Sequence, residues 1–254
     1  MKILVTGSTG VIGTSIIEKC IAEKVEIRTL GRSKSKMVED HFTWTLGMGP
    51  EPKALIGVDL IIHAAWTTKD RGSIQNHLNI GGAMKLIDSA QLANIPIINI
   101  SSFAAINPSS SYGLAKKQVE ALNSRGLNLR IAKVENYQKG KAPKKIVLRK
   151  LIFIPAPKNI NVHVASLDEV VGEIFSHILL PIKPEIKICT YKTMSLPNYI
   201  KHFWGFRTIA LPVGFLTFIL RLSAITKIRL FLNVFDRWIS LISISEIRNE
   251  NLVH

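Results

Sequence analysis

Thr6-Gly7-Ser8-Thr9-Gly10-Val11-Ile12-Gly13 stands between a segment that reads as a short buried strand, Lys2–Thr6, and a helical pattern over Ile12–Glu23. Small residues in such a turn let backbone approach a pyrophosphate, and the helix behind it offers free N–H groups and the positive end of its dipole. The spacing is GxxGxxG rather than the GxGxxG of the common dinucleotide fingerprint. Strand, glycine turn and helix together predict a cofactor-binding βα unit, with Gly7, Thr9, Gly10, Val11 and Ile12 against the cofactor.

Outward from this turn, strands and helices alternate. Val25–Leu30, Asp59–His63, Ile95–Ile100 and Leu127–Ala132 read as strands, with a weaker one near Phe42–Leu46. Asn79–Leu92 and Tyr112–Leu122 read as helices. Alternation of this kind means βαβ units and a parallel sheet. Near-continuous apolar strands such as Ile95-Pro96-Ile97-Ile98-Asn99-Ile100 agree, because a parallel sheet is covered on both faces. The expected fold is a doubly wound α/β sheet of Rossmann type over residues 1–132. A small α/β substrate lobe and an apolar, basic helical tail then occupy most of 133–254. Within that part, Leu167–Leu180 reads as a helix with a capping box, Ser166 and Glu169. Ile186–Tyr191 reads as a strand at or near the sheet, and the chain from Tyr199 as helical.

Two further positions carry chemistry. Strand two ends in Leu30-Gly31-Arg32-Ser33-Lys34, with no acid before Glu39. An acid at this point suits the ribose 2′-OH of NAD, whereas an Arg accommodates a 2′-phosphate, so Arg32 predicts NADP, with NAD the alternative. After the fourth clear strand come Ser101-Ser102 and then Tyr112-Gly113-Leu114-Ala115-Lys116. Tyr112 and Lys116 at i and i+4 share a helix face. An ammonium near a phenol favours the phenolate and lowers its pKa. A serine hydroxyl can then bond the substrate oxygen while the phenol moves a proton and a nicotinamide exchanges hydride.

Read together, these segments resemble the extended branch of the short-chain dehydrogenase/reductase superfamily, the NAD-dependent epimerase/dehydratase family. The resemblance runs over roughly residues 1–200. Thr6–Gly13 matches TGxxGxxG, and Gly57–Trp66 matches the strand-four segment, with Ala64 and Ala65 beside the cofactor. Asn79 opens the helix segment, Ser102 and YxxxK match the active-site residues, and Val162–Val171 matches a later motif with Asp168 as a structural residue. The resemblance implies Tyr112 as acid/base, Lys116 as holder of the nicotinamide ribose and Ser102 as the group polarising a carbonyl. It implies a nucleotide-linked sugar as substrate and a homodimer. The departures are a loop of only nine residues between Ser102 and Tyr112, and Leu129-Arg130-Ile131-Ala132-Lys133-Val134-Glu135-Asn136-Tyr137 where the branch reads LRPxxxYG. They motivate two alternatives: a non-catalytic NAD(P)-binding sensor or scaffold, and a reductase of a lipid-like alcohol.

Composition bounds the rest. With 47% hydrophobic and 20% charged residues, the chain of 254 is not a disordered one. Cys20 and Cys189 are the only cysteines, which excludes a disulfide scaffold or zinc ribbon, and no metal site is expected. A reduced, cytoplasmic setting follows. The apolar run Ile3–Val5 is too short for a signal peptide, and no stretch is a membrane span. The net charge of +15 favours anionic partners. Lys133–Lys150 is a basic stretch that fits a diphosphate or a solvated loop; no nucleic-acid-binding motif accompanies it, so no nucleic-acid partner is expected. The tail Arg207–Trp238 reads as a packed or dimer-forming helix, with peripheral membrane contact as the alternative. His63 reads as a core histidine. Trp66 reads equally as pocket wall or packing residue.

Overall fold

The computed structural model describes residues 1–67, 73–135, 151–155, 161–205 and 207–211. The basic stretch beyond Glu135, residues 136–150, and the tail beyond Leu211 lie outside these residues, so the readings made there stay outside the structural description.

Alternation produces the expected sheet. β1 (Lys2–Thr6) runs into α1 (Val11–Ala22), followed by β2 (Glu26–Gly31), β3 (His41–Thr43) and β4 (Leu60–His63). Then come α2 (Ser73–Leu92), β5 (Ile97–Ser102), α3 (Ser111–Leu122) and β6 (Leu127–Ile131). Beyond these lie β7 (Lys133–Val134), β8 (Leu151–Pro155), β9 (Asn161–Ala165), α4 (Leu167–Ile178), β10 (Glu185–Ile188), β11 (Lys192–Ser195), α5 (Leu196–Trp204) and β12 (Arg207–Leu211).

Seven strands form one sheet in the order β10-β6-β5-β4-β1-β2-β3, every neighbouring pair parallel. Helices cover both faces. Ile3, Val5, Ile62, Ile98 and Leu129 pack with Ile16, Ile17 and Cys20 of α1 and with Val170 and Ile174 of α4. Leu4, Leu30 and Ile61 pack on the other side with Ala83, Leu86 and Ala90 of α2 and Val119 of α3. Alternate residues of one strand thus serve opposite cores, which is why these strands read as unbroken apolar runs. Strand order reverses between β1 and β4. A crevice at the carboxyl ends of strands at such a switch point is where open α/β sheets take ligands.

β10 comes from far along the chain, yet it pairs in parallel with β6 and extends the main sheet. The later residues also form a small sheet, β11-β9-β7, and a two-stranded pair, β12-β8. The helical reading from Tyr199 holds to Trp204 and is corrected beyond it, up to Leu211. α5 stops at Trp204 because Gly205 takes the left-handed conformation, φ +68°, that ends helices, and Arg207–Leu211 is a strand paired with β8. The strand read as Ile186–Tyr191 ends at Ile188. Among the described residues no helix is long and apolar enough to cross a membrane.

α4 carries the capping box read from the sequence. The Ser166 hydroxyl accepts from the Glu169 N–H at 3.1 Å, and the Glu169 carboxylate accepts from the Ser166 N–H at 3.1 Å. Asp168 stands exposed in the first turn of α4, where a carboxylate meets the positive end of the helix dipole. Ser166→Ala is expected to cost about 1 kcal/mol of folding stability. The loss appears as a lower denaturant midpoint with an unchanged slope, and Glu169→Gln, which keeps an acceptor at N3, should cost less.

Candidate active site

The glycine turn is shaped by contact with the loop after β4. Gly7 has φ +71°, and a Cβ there would lie 2.7 Å from backbone atoms of Ala64 and Ala65. A Cβ on Gly13 would lie 2.2 Å from the Gly7 carbonyl oxygen. Both positions therefore demand glycine: Gly7 for its conformation and close approach, Gly13 for packing of α1 against the turn. Gly10 precedes α1 without a side-chain cap, so the first-turn N–H groups have no acceptor inside the helix.

That helix end opens on a cavity of about 370 Å3 at the switch point. Gly7, Gly10, Val11, Ile12 and Ala64 line it on one side, and Ser102, Tyr112 and Lys116 line it further along. Unsatisfied N–H groups, no side chain filling the turn and an adjoining long crevice fit a pyrophosphate. Three residues of the sequence reading stand outside this lining: Thr9 is exposed on the turn, Arg32 is exposed just beyond β2, and Ala65 donates its N–H to Thr6 Oγ1 at 3.1 Å. Arg32 forms no ion pair among the described residues, whereas Lys34 is paired with Glu39. Also among the described residues, no three His, Cys, Asp or Glu side chains gather as a metal site would require.

α3 is bound to β5 along one face. Tyr112, Lys116 and Glu120 recur every four residues and so stack over successive turns. Lys116 Nζ donates to the Ile100 carbonyl at 2.8 Å. Ser101 Oγ donates to Glu120 Oε1. Ser102 Oγ accepts from the Ala104 N–H at 3.3 Å and also hydrogen-bonds the Tyr112 phenol. Ser110 caps α3, its hydroxyl accepting from the Gly113 N–H. The short loop between Ser102 and Tyr112 thus brings hydroxyl, phenol and ammonium to one wall.

Burial dominates the titration of these groups. Lys116 is 6% exposed, and desolvation pulls its ammonium down to about 7, with the Glu120 carboxylate working in the opposite direction. Burial pushes the Tyr112 phenol up, and the Ser102 hydrogen bond only partly offsets this. The sequence suggests a phenol lowered by its neighbouring ammonium. Here Lys116 Nζ is 6.0 Å from the Tyr112 ring centre, and desolvation is the larger effect.

Trp66 does both things its position allowed. It lines the cavity, places its ring face 4.0 Å from Lys116 Nζ, and meets Tyr112 edge-on with centroids 5.6 Å apart. Lys133, which the sequence offers as the start of a basic stretch, and His163, which it does not single out, also line the cavity. His163 is bonded through Nδ1 to Thr193 Oγ1 at 2.9 Å. Their approach to the site follows from the pairing of β7 with β9, which no local pattern signals. Glu120 was also passed over, although its place four residues after Lys116 was a usable signal.

His63 is buried as expected, but only half of its ring is satisfied. Nδ1 is 2.8 Å from Thr6 Oγ1, while Nε2 has no partner among the described residues. Desolvation, with the nearby Lys116 charge, lowers it from 6.5 to about 3. An unfolded His takes up its proton near 6.5, so between about 6.5 and 3 the unfolded chain binds more protons than the folded one. Folding stability is therefore lost as pH falls through this window. His63→Gln should flatten the fall by up to about 1.4 kcal/mol per pH unit, measured as denaturant stability against pH.

Comparison with known proteins agrees with this architecture. A search of curated protein sequences returns no match. A short-chain dehydrogenase/reductase superfamily protein from Agrobacterium tumefaciens, solved with bound NAD, superposes with TM-score 0.68 at 14% identity, covering 84% of this chain and 86% of that one. MoeE5 in complex with UDP-glucuronic acid and NAD gives 0.66 at 17% identity, covering 84% and 86%. The UDP-N-acetylglucosamine 4-epimerase of Bacillus cereus gives 0.67 at 17% identity, covering 84% and 85%. At these identities the likeness is one of fold. The model of the NAD dependent epimerase/dehydratase family matches residues 3–130, from β1 through β6 with the glycine turn and α3 included, and on that span the chain belongs to this family of enzymes.

Proposed function

We propose that the protein is an NAD(P)-dependent oxidoreductase or epimerase acting on a nucleotide-linked sugar. One observation carries the reading: a single cavity joins the uncapped N-terminus of α1 to Ser102, Tyr112 and Lys116. The first end suits a pyrophosphate and the second suits a carbonyl or alcohol. A bound nicotinamide dinucleotide supplies hydride exchange at the substrate carbon. In this proposal Gly7, Gly10, Val11 and Ile12 bind the pyrophosphate through backbone, with Thr9, Ala64 and Ala65 beside the cofactor. Lys116 holds the nicotinamide ribose. Ser102 donates a hydrogen bond to the substrate oxygen, and Tyr112 gives or takes the proton of that oxygen.

Related folds support the substrate class. MoeE5, one of the proteins of similar fold, is solved in complex with UDP-glucuronic acid and NAD, and another is a UDP-N-acetylglucosamine 4-epimerase. The reading keeps residues 1–132 as the dinucleotide domain and 133–254 mainly as the substrate lobe and tail. It also keeps a cytoplasmic homodimer, with the tail as its only candidate for peripheral membrane contact. Arg32 makes NADP the proposed cofactor, because its exposed guanidinium just beyond β2 meets, among the described residues, no carboxylate that would compete with a 2′-phosphate.

Titration of the purified protein with NADPH and NADH tests the cofactor. Tighter NADPH binding, reduced about tenfold or more by Arg32→Ala with NADH binding unchanged, is the expected result. Equal or tighter NADH binding overturns the assignment of Arg32. For the chemistry, Tyr112→Phe should lower turnover of UDP-sugars by about 100-fold or more while leaving cofactor affinity intact. Full turnover by that variant removes Tyr112 from the acid–base role.

A further inference from the structure

We infer that Glu120 and Arg130 are positioning residues of the site: the Glu120 carboxylate holds the Lys116 ammonium charged, and the Arg130 guanidinium sets how much of that carboxylate's field Lys116 meets. The inference rests on the proposed role of Lys116.

The geometry is that of a built charge couple. Glu120 is 3% exposed, one turn beyond Lys116 on the same face of α3. Arg130, at the end of β6, grips it with both arms: Nε to Oε1 at 2.9 Å and Nη2 to Oε2 at 2.7 Å. The Ser101 hydroxyl supplies a further bond to Oε1. Register fixes the arrangement, since Ser101 on β5 pairs with Arg130 on β6. A bidentate pair of this kind is rigid as well as strong. It lies directly behind the wall formed by Ser102, Tyr112 and Lys116.

Lys116 needs such a partner. Its own contacts are one carbonyl, Ile100, and the ring faces of Trp66 and Tyr112; no carboxylate is within ion-pair distance among the described residues. The charged or titratable groups around it are few. Tyr112 and Glu120 share its helix, His63 on β4 is neutral down to about pH 3, and Arg130 faces it from β6 through Glu120. Ser101 and Ser102 on β5 carry no charge, and Lys133 and His163 stand across the cavity. Burial alone drives Lys116 toward neutrality, and Glu120 is the group that opposes it. Charge removal at Glu120 and charge removal at Arg130 must then act on Lys116 with opposite sign. A purely structural clamp has no such sign.

The experiment reads Lys116 itself. Lysine labelled with 13C at Cε is titrated by NMR through the neutral and alkaline range, with Lys116→Met identifying the signal. Glu120→Gln leaves Arg130 uncompensated and should lower the Lys116 midpoint by about one pH unit; Arg130→Gln frees the carboxylate and should raise it by about as much. Arg130→Lys keeps the charge and should restore the wild-type midpoint, which covers the case in which Glu120→Gln does not fold. A second cavity, of about 400 Å3, is lined by Glu120, Arg130 and Asn128. Guanidinium ion admitted there should bring Arg130→Ala back toward wild type. Midpoints that do not move, or that move in the same direction in the Gln variants, overturn the inference. Because the titration needs neither cofactor nor sugar, its outcome is separate from that of the function: opposite shifts without turnover of any UDP-sugar sink the nucleotide-sugar reading alone.

Discussion

The structure depends on a place where backbone touches backbone. The turn after β1 lies against the segment after β4, and the first turn of α1 lies against the turn after β1, at distances that leave no room for a Cβ on Gly7 or Gly13. Those two contacts bring the end of α1 to the switch point and leave its N–H groups facing the crevice side of the sheet. Everything proposed for the cofactor end of the site follows from them. A larger residue at either position would move a whole helix, not a side chain, because the clashing atoms are backbone.

At the other end of the crevice the organising element is α3. Its three residues at four-residue intervals are each tied to consecutive residues of β5, through the Ile100 carbonyl, the Ser101 hydroxyl and the Ser102 hydroxyl. Helix and strand are held in one register, so the phenol, ammonium and serine hydroxyl share one wall. Such a wall has an energetic cost. Lys116 and His63 are both buried and both shifted toward their neutral forms. Of the two, Lys116 lines the crevice, and a perturbed ionisable group in such a cleft is the signal of a candidate site.

Much of the fold was legible in the residues themselves. Strands buried on both faces write themselves as apolar runs, and helices as a 3.6-residue period, so β1, β4, β5, β6, α1 and α3 were read close to their observed bounds. The capping box of α4 was readable because all its atoms lie within four residues. What was misread or missed depends mostly on partners far along the chain. Residues 205–211 read on as helix, although Gly205 marks the stop, and the strand that follows pairs with β8. β7, β9 and β11 are short and gain their stability from pairing with one another rather than from any pattern of their own.

The site divides in the same way. Gly7, Gly10, Ser102, Tyr112 and Lys116 are visible in the sequence because their spacing within a βα unit is itself the signal. The balance of charge around them is not. Glu120 meets Arg130 ten residues away and Ser101 nineteen away, and Thr6 meets His63 across fifty-seven. Trp66 comes to lie over Lys116 only because β4 and β5 are neighbours in the sheet. The sequence by itself determined the doubly wound fold, the glycine turn and the residues of the serine, tyrosine and lysine wall, since these rest on periodicity and short-range spacing. Only the tertiary structure decided which of them are dry, which are charged and what holds them, because desolvation and ion pairing arise between residues that the chain brings together solely by folding.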